Sequence, residues 1–212
     1  FAFIIPVYNH AATVVRVVSE TLAFGYPVFV VDDGSTDETS QRLAEIKGIN
    51  LLRHSKNEGK GAAILTGFMA ASHSADYVIT IDADGQHDPK DALKLINAIP
   101  AKKRPIIIGA REGMTASLGA HIPWTSRFGR KFSNFWVLMS GGPKLSDTQS
   151  GMRIYPLPEA MSLNTRARRF QFEVEILVQA KRKGIPILET PINVFYNLDG
   201  SRISHFRPVV DF

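Results

Sequence analysis

Within the first 110 residues, short apolar runs alternate with stretches of helical periodicity, and this rhythm limits the possible folds more than any other feature. The runs fall at residues 3–7, 28–31, 50–53, 77–81 and 105–109. Between them, helical patterns are expected over 11–22, from the capping signal Ser35-Thr36-Asp37-Glu38 through Ile46, over 59–71, and from Pro89 through Ile96. These short runs read as strands, the first of them, residues 3–7, as a buried one. Strand and helix in strict alternation imply an α/β domain, a doubly wound sheet with helices on both faces. Such sheets bind ligands beyond the carboxyl ends of their strands. Polar residues collect at those ends: Tyr8-Asn9, Asp32-Asp33 and Asp82-Ala83-Asp84 each follow an apolar strand.

After Arg111 the rhythm changes. Residues 113–123 read as a loop, 125–139 as an amphipathic helix, and Gly141-Gly142-Pro143 as a break. A helix over 172–183 leads through Gly184 into a strand at 185–188. No repeat, low-complexity tract or linker divides the 212 residues, so one domain is expected, with halves of about 1–110 and 111–212. The chain opens without Met inside an apolar run, which reads as a piece trimmed from a longer chain. No apolar run approaches the roughly 20 residues that span a bilayer, and no signal peptide is visible. The absence of cysteine excludes disulfides, thiolate metal sites, iron–sulfur clusters and a cysteine nucleophile. A net charge of +5 suits an anionic partner or serves solubility alone.

In extended backbone, residues i and i+2 point the same way, so Asp82 and Asp84 can face one ligand. Carboxylates of this kind suit Mg²⁺ or Mn²⁺, which takes one or two of them together with substrate phosphates. Alternatively, the pair is a solvated turn that caps the helix at Pro89, with His87 as a turn residue. Two common phosphate-binding patterns are absent: Asn57-Glu58-Gly59-Lys60-Gly61 lacks the spacing of a P-loop, and no G-x-G-x-x-G follows the first strand.

Pro6-Val7-Tyr8-Asn9, the segment from Val31 to Asp37, Asp82-Ala83-Asp84-Gly85-Gln86-His87 and Asp147-Thr148-Gln149-Ser150-Gly151-Met152-Arg153 occur in that order. Together they resemble the family 2 inverting glycosyltransferases of GT-A fold, more narrowly the branch that makes dolichyl- and polyprenyl-phosphate sugars. The resemblance covers nearly the whole chain. It implies a mostly parallel GT-A sheet with a nucleotide-sugar-binding first half and a smaller acceptor-side C-terminal portion. It also implies Mg²⁺ or Mn²⁺ as cofactor, a UDP- or GDP-linked sugar as donor, a lipid phosphate as acceptor, and a location at the cytoplasmic face of a membrane.

By the same resemblance, Pro6, Tyr8 and Asn9 line the nucleotide and Asp33 hydrogen-bonds its base. Asp82, Ala83 and Asp84 handle the diphosphate, and Asp82, Asp84 and Gln86 hold the metal. Arg111 and Arg202 contact phosphate, while Arg127 and Arg153 serve the acceptor. His10 stands where an acid is frequent, and Gln149 and Met152 vary the usual D-x-T-S-G-F-R pattern. The Q-x-x-R-W pattern of processive polysaccharide synthases is absent.

A hydroxyl acceptor needs a general base, which a phosphate acceptor does not. Glu173 and Glu175 are the candidates, and Glu173 falls where other branches place the base. Two residues apart on a helix, at most one can serve; the other reading is a surface carboxylate paired with a neighbouring cation. Asp147 either contacts the acceptor or organises a nearby arginine. The segment from Trp124 to Trp136 reads as an interfacial helix or as a core helix. Arg166, Arg168, Arg169, Lys181, Arg182 and Lys183 add positive charge usable against an anionic leaflet. Beside this reading stand transfer to a saccharide or lipid hydroxyl, a nucleotidyltransferase, and a catalytically silent basic binding module. Nucleic acid is not an expected partner, because no nucleic-acid motif accompanies the basic residues.

Overall fold

The computed structural model describes residues 1–111, 134 and 137–194. The elements follow in chain order as β1 (Ala2–Val7), α1 (Val14–Leu22), β2 (Val28–Asp32), α2 (Thr39–Ala44), β3 (Ile49–Arg53), α3 (Lys60–Ala71) and β4 (Tyr77–Thr80). A 3₁₀ turn (Pro89–Asp91) then leads into α4 (Ala92–Asn97), β5 (Ile106–Arg111), β6 (Arg153–Pro156), a second 3₁₀ turn (Ala160–Ser162), α5 (Phe172–Arg182) and β7 (Ile187–Ile192). The strands form one seven-stranded sheet in the order β3-β2-β1-β4-β6-β5-β7. β1, β2, β3 and β4 run parallel, with Val7 opposite Asp32 and Asp32 opposite Arg53. β6 lies antiparallel between β4 and β5, and β5 pairs parallel with β7.

The alternating side chains of β1 feed two cores. Phe3, Ile5 and Val7 pack with Val14, Val17 and Val18 of α1 and with Leu43 and Leu95 on one face. Ala2 and Ile4 pack on the other face with Ile64 and Phe68 of α3, Tyr155 of β6, and Phe172 and Ile176 of α5. Burial on both faces is why these strands read as unbroken apolar runs.

Several elements differ from the sequence reading. α1 begins at Val14, three residues later than the periodicity suggests. The helix at Pro89 opens as a 3₁₀ turn, with the Asp88 side chain accepting from Lys90 N. β7 covers Ile187–Ile192, not 185–188, and runs through Pro191. It is an edge strand of the sheet, so the missing N–H of Pro191 leaves no central ladder bond unmade. β6, of which the sequence reading took in only Arg153 at the end of a motif, is a central antiparallel strand. Because β6 and β7 come from the second half of the chain and pair with strands of the first, the sheet is continuous across both halves. The expected loop at 113–123 and most of the expected helix at 125–139 lie outside the described residues.

Candidate active site

The ends of β1 and β2 interlock before any ligand is considered. Asp33 N donates to Val7 O at 2.8 Å. Asn9, in the left-handed region at φ 56°, accepts from Thr36 N at 2.8 Å and donates its own N–H to Ser35 Oγ at 3.0 Å. An asparagine tolerates this conformation because its side chain bonds locally. Asp32 accepts from Ser35 N and the Ser40 hydroxyl and pairs with Arg53. Asp33 takes Glu58 N at 2.9 Å, Gly59 N at 2.8 Å and His54 Nδ1 at 2.7 Å, and Nε2 of that histidine meets Thr66 Oγ1 at 2.9 Å. The acid matched to base recognition therefore also anchors the entry to α3, and a nucleobase contact would add to these bonds.

At the end of β4, Asp82 and Asp84 sit in different electrostatic states. Lys60 Nζ lies 2.7 Å from Asp82 Oδ1 and 2.7 Å from Glu173 Oε1. Burial works against the Lys60 charge, but the two carboxylates overcome it and hold the ammonium above the ordinary lysine range. Burial likewise pushes Asp82 up, and Lys60 more than reverses this, keeping it below the usual carboxylate range. Asp84 makes no ion pair among the described residues and accepts from Gln86 N at 3.0 Å. Its burial, and then the neighbouring Asp82 charge, raise it to about 6. Ala83 between them is buried, and its carbonyl accepts from Thr13 Oγ1 at 2.6 Å. Gly151 packs directly against Asp82: a Cβ there would stand 2.0 Å from Oδ2.

Arg111, closing β5, sends Nε and Nη2 to the two oxygens of Asp147, the latter at 2.8 Å. Of the two roles open to Asp147, its geometry is that of organising an arginine. His87 is buried, bridges its backbone to Val194, and has an Nδ1 with no hydrogen-bond partner among the described residues. Burial pushes it down to about 4, so it is neutral at physiological pH.

Two expectations change. Arg153, expected at the acceptor, is 1% exposed. Its Nε donates to Ser150 O at 2.7 Å, Nη1 to Glu173 O at 2.8 Å and Nη2 to Thr148 O at 2.9 Å. With all three nitrogens on internal carbonyls, it holds the Thr148–Ser150 loop against the start of α5. Glu175 makes no ion pair among the described residues: its Oε2 accepts from Arg166 N at 2.9 Å and Ala167 N at 2.7 Å, fixing the chain ahead of α5. Arg127 and Arg202 lie outside the described residues.

Lys60 is the site residue that sequence reasoning passed over. Its signal was Gly59-Lys60-Gly61 at a strand-to-helix junction, set aside because the spacing is not that of a P-loop. His54 was also missed, since it sits in a loop with no pattern around it.

The donor set fits a divalent cation. Asp84 is a crowded carboxylate without an ion pair among the described residues, and an incoming cation would relieve the repulsion from Asp82 that helps raise it. Among the described residues no cluster of three or more acids and histidines forms, and the acids at the end of β4 are the pair Asp82 and Asp84. A carboxylate pair suits Mg²⁺ or Mn²⁺ shared with substrate phosphates.

An α/β sheet that presents paired acids and an arginine at the carboxyl ends of its strands places them where sheets of this class bind their ligands. The chain belongs to glycosyl transferase family 2, whose profile matches residues 2–155, and it is a glycosyltransferase. It is 30% identical to the UDP-N-acetylglucosamine–dolichyl-phosphate N-acetylglucosaminyltransferase of Methanococcus voltae, over 91% of this chain and 84% of that one. It is 27% identical to the dolichyl-phosphate β-glucosyltransferase of Saccharomyces cerevisiae, over 95% of this chain and 68% of that one. Among solved structures, the glucosyl-3-phosphoglycerate synthase of Mycobacterium tuberculosis, in complex with Mn²⁺, UDP and phosphoglyceric acid, aligns with a TM-score of 0.72. That match has 19% identity and covers 93% of this chain and 72% of the other, which establishes a shared fold. The fold is the GT-A type that the motifs imply. Among the described residues no helix is long and apolar enough to cross a membrane.

Proposed function

We propose that this protein transfers a hexose, with inversion, from a UDP- or GDP-linked sugar to a dolichyl or polyprenyl phosphate at a cytoplasmic membrane face, using Mg²⁺ or Mn²⁺. The observation that carries the reading is Asp84, a carboxylate raised to about 6 and without an ion pair among the described residues, at the end of β4 beside Asp82. Asp84 would hold the metal, with Asp82 and Gln86 completing its shell. When bound, the metal neutralises charge developing on the departing diphosphate. Arg111, fixed by Asp147, adds a second positive group at the same rim. The bond from the sugar C1 to the β-phosphate oxygen breaks, its electron pair leaving with the nucleoside diphosphate. An acceptor phosphate oxygen forms the new bond from the opposite face.

The phosphate acceptor is favoured by Glu173. One of its oxygens is engaged by Lys60, which suits a reaction needing no base better than one that must take a proton from a hydroxyl. The dolichyl-phosphate activities named for the Methanococcus and yeast relatives point the same way. A second reading, transfer to a saccharide or lipid hydroxyl with Glu173 as base, draws on the buried placement of that carboxylate next to the donor acids. Incubating the protein with UDP- and GDP-hexoses, Mn²⁺ and a short polyprenyl phosphate tests the proposal. Nucleoside diphosphate release with formation of an acid-labile glycolipid is expected. Release only with a hydroxyl acceptor, and its loss in Glu173→Gln, would replace the first reading by the second. Release of pyrophosphate would overturn both.

A further inference from the structure

Lys60 opens α3, and the N-terminus of a helix is where its macrodipole least favours a positive charge. The surrounding chain is nonetheless built to put an ammonium there. Asp33 holds Gly59 N and Glu58 N, and Ala62 N donates to Arg168 O at 2.8 Å. Glycines flank the lysine because nothing larger fits. A Cβ on Gly59, at φ 106°, would lie 2.6 Å from Arg168 O, and one on Gly61 would lie 2.5 Å from Phe172 Cβ. Helix α3 can therefore approach the 168–172 segment closely enough for Lys60 to reach between the end of β4 and the start of α5. There its side chain, 14% exposed, meets Asp82 and Glu173 at equal distances of 2.7 Å.

We propose that Lys60 is a positioning residue that acts as a resident counter-ion: in the nucleotide-free protein it occupies Asp82, leaves Asp84 as the open carboxylate, and so keeps the site from loading a divalent cation until a nucleotide diphosphate supplies further ligands. This rests on the reading that Asp82 and Asp84 hold the cation. An ammonium in contact with Asp82 Oδ1 competes directly for that oxygen. Glu173 gives the ammonium an alternative partner, so Lys60 can move its charge from Asp82 to Glu173 without leaving the buried site. Such a shift links the donor acids to the start of α5 through one side chain.

The test is Mn²⁺ binding to the whole chain, read by electron paramagnetic resonance at pH 8, with and without UDP or GDP. The wild type is expected to bind Mn²⁺ weakly alone and much more tightly with a nucleotide. Lys60→Met is expected to bind Mn²⁺ alone roughly tenfold more tightly, and Lys60→Arg to stay within about threefold of the wild type. Damage to the fold would weaken binding, so a gain of affinity separates positioning from structure. Equal or weaker Mn²⁺ binding by folded Lys60→Met overturns the proposal. Should Lys60→Met fail to fold, Glu173→Gln decides. Its ammonium, left to Asp82 alone, is expected to weaken Mn²⁺ binding about threefold, and unchanged binding overturns the proposal. Asp84→Asn isolates the underlying reading. If it binds Mn²⁺ and nucleotide like the wild type, the cation site itself is misplaced and the role of Lys60 falls with it. If Asp84→Asn loses binding while Lys60→Met gains none, only the role of Lys60 falls.

Discussion

Arg111 and Asp147 face each other as a two-pronged pair, Nε on one carboxylate oxygen and Nη2 on the other, joining the end of β5 to the loop before β6. Asp147 is 1% exposed and Arg111 only partly buried, so the acid is the enclosed member of the pair and the arginine the one with exposed surface. Burial pushes Asp147 up, but the hydrogen bonds and charge of Arg111 hold it below the usual carboxylate range. The stability this brings is present above the unfolded value near 3.8 and is lost as pH falls through the depressed folded value. Asp147→Asn should cost about 2 kcal/mol in urea unfolding at neutral pH, as expected for a charge-assisted bond. It should also lower kcat/KM by roughly 10- to 100-fold, because Arg111 is no longer aimed.

Asp84 has the opposite sign. Its folded value near 6 lies above its unfolded value of 3.8, so between these the folded protein holds the proton more tightly. Its ionisation thus costs stability, a cost absent below about pH 4 and complete above about pH 6. Asp84→Asn should stabilise the metal-free protein at pH 7.5 by on the order of 1–3 kcal/mol, a rise of a few degrees in Tm. The same variant should lose cation-dependent nucleotide binding. Wild-type Mn²⁺–nucleotide binding should fall as pH drops through about 6, as protonated Asp84 ceases to be a ligand. Calorimetric melting beside a nucleotide titration over pH 5–8 checks both.

Arg153 separates folding from binding. Removing it leaves the carbonyls of Thr148, Ser150 and Glu173 without their buried donors. Arg153→Ala should cost about 3–5 kcal/mol, and Arg153→Lys nearly as much, since one ammonium cannot reproduce the planar fork. Urea midpoints measure the loss. The acceptor KM of the folded fraction of Arg153→Lys should stay near that of the wild type, which it would not do if the guanidinium met the acceptor.

What could be read from the sequence follows from where the physics is local. The strands β1, β2, β4 and β5 announce themselves because burial on both faces forces continuous apolar runs, whereas the edge strand β3 is half-exposed and carries Asn50 and Arg53. Asp82 and Asp84 stand out because polar residues follow such a run directly. β6 did not stand out: Arg-Ile-Tyr-Pro is four residues long, opens on a charge and ends on proline. Only its pairing with β4 on one side and β5 on the other makes it a strand. The buried state of Arg153 was hidden for the same reason, since its partners are backbone carbonyls, which no sequence pattern marks. Lys60 was hidden by distance along the chain: Asp82 and Glu173 reach it from a strand end and a helix start that come together only in the folded sheet.

Gly151 tests how closely the site is drawn. It precedes β6, its carbonyl accepts from Thr80 Oγ1 at 2.9 Å, and its Cα faces the Asp82 carboxylate with no room for a methyl group. In Gly151→Ala the new Cβ would meet both Asp82 oxygens, at 2.0 and 2.5 Å, so the carboxylate must turn away or the loop must retreat. The carboxylate can rotate about its side-chain bonds, whereas the loop is tied to β4 by Thr80 and to α5 by Arg153, so the carboxylate should move. Overpacking at such a point costs about 1–3 kcal/mol, leaving the protein folded. Mn²⁺–nucleotide affinity should fall by roughly tenfold or more as Asp82 leaves its place. A variant that melts within a few degrees of the wild type and binds Mn²⁺–nucleotide equally well would show that Asp82 has no part in holding the cation.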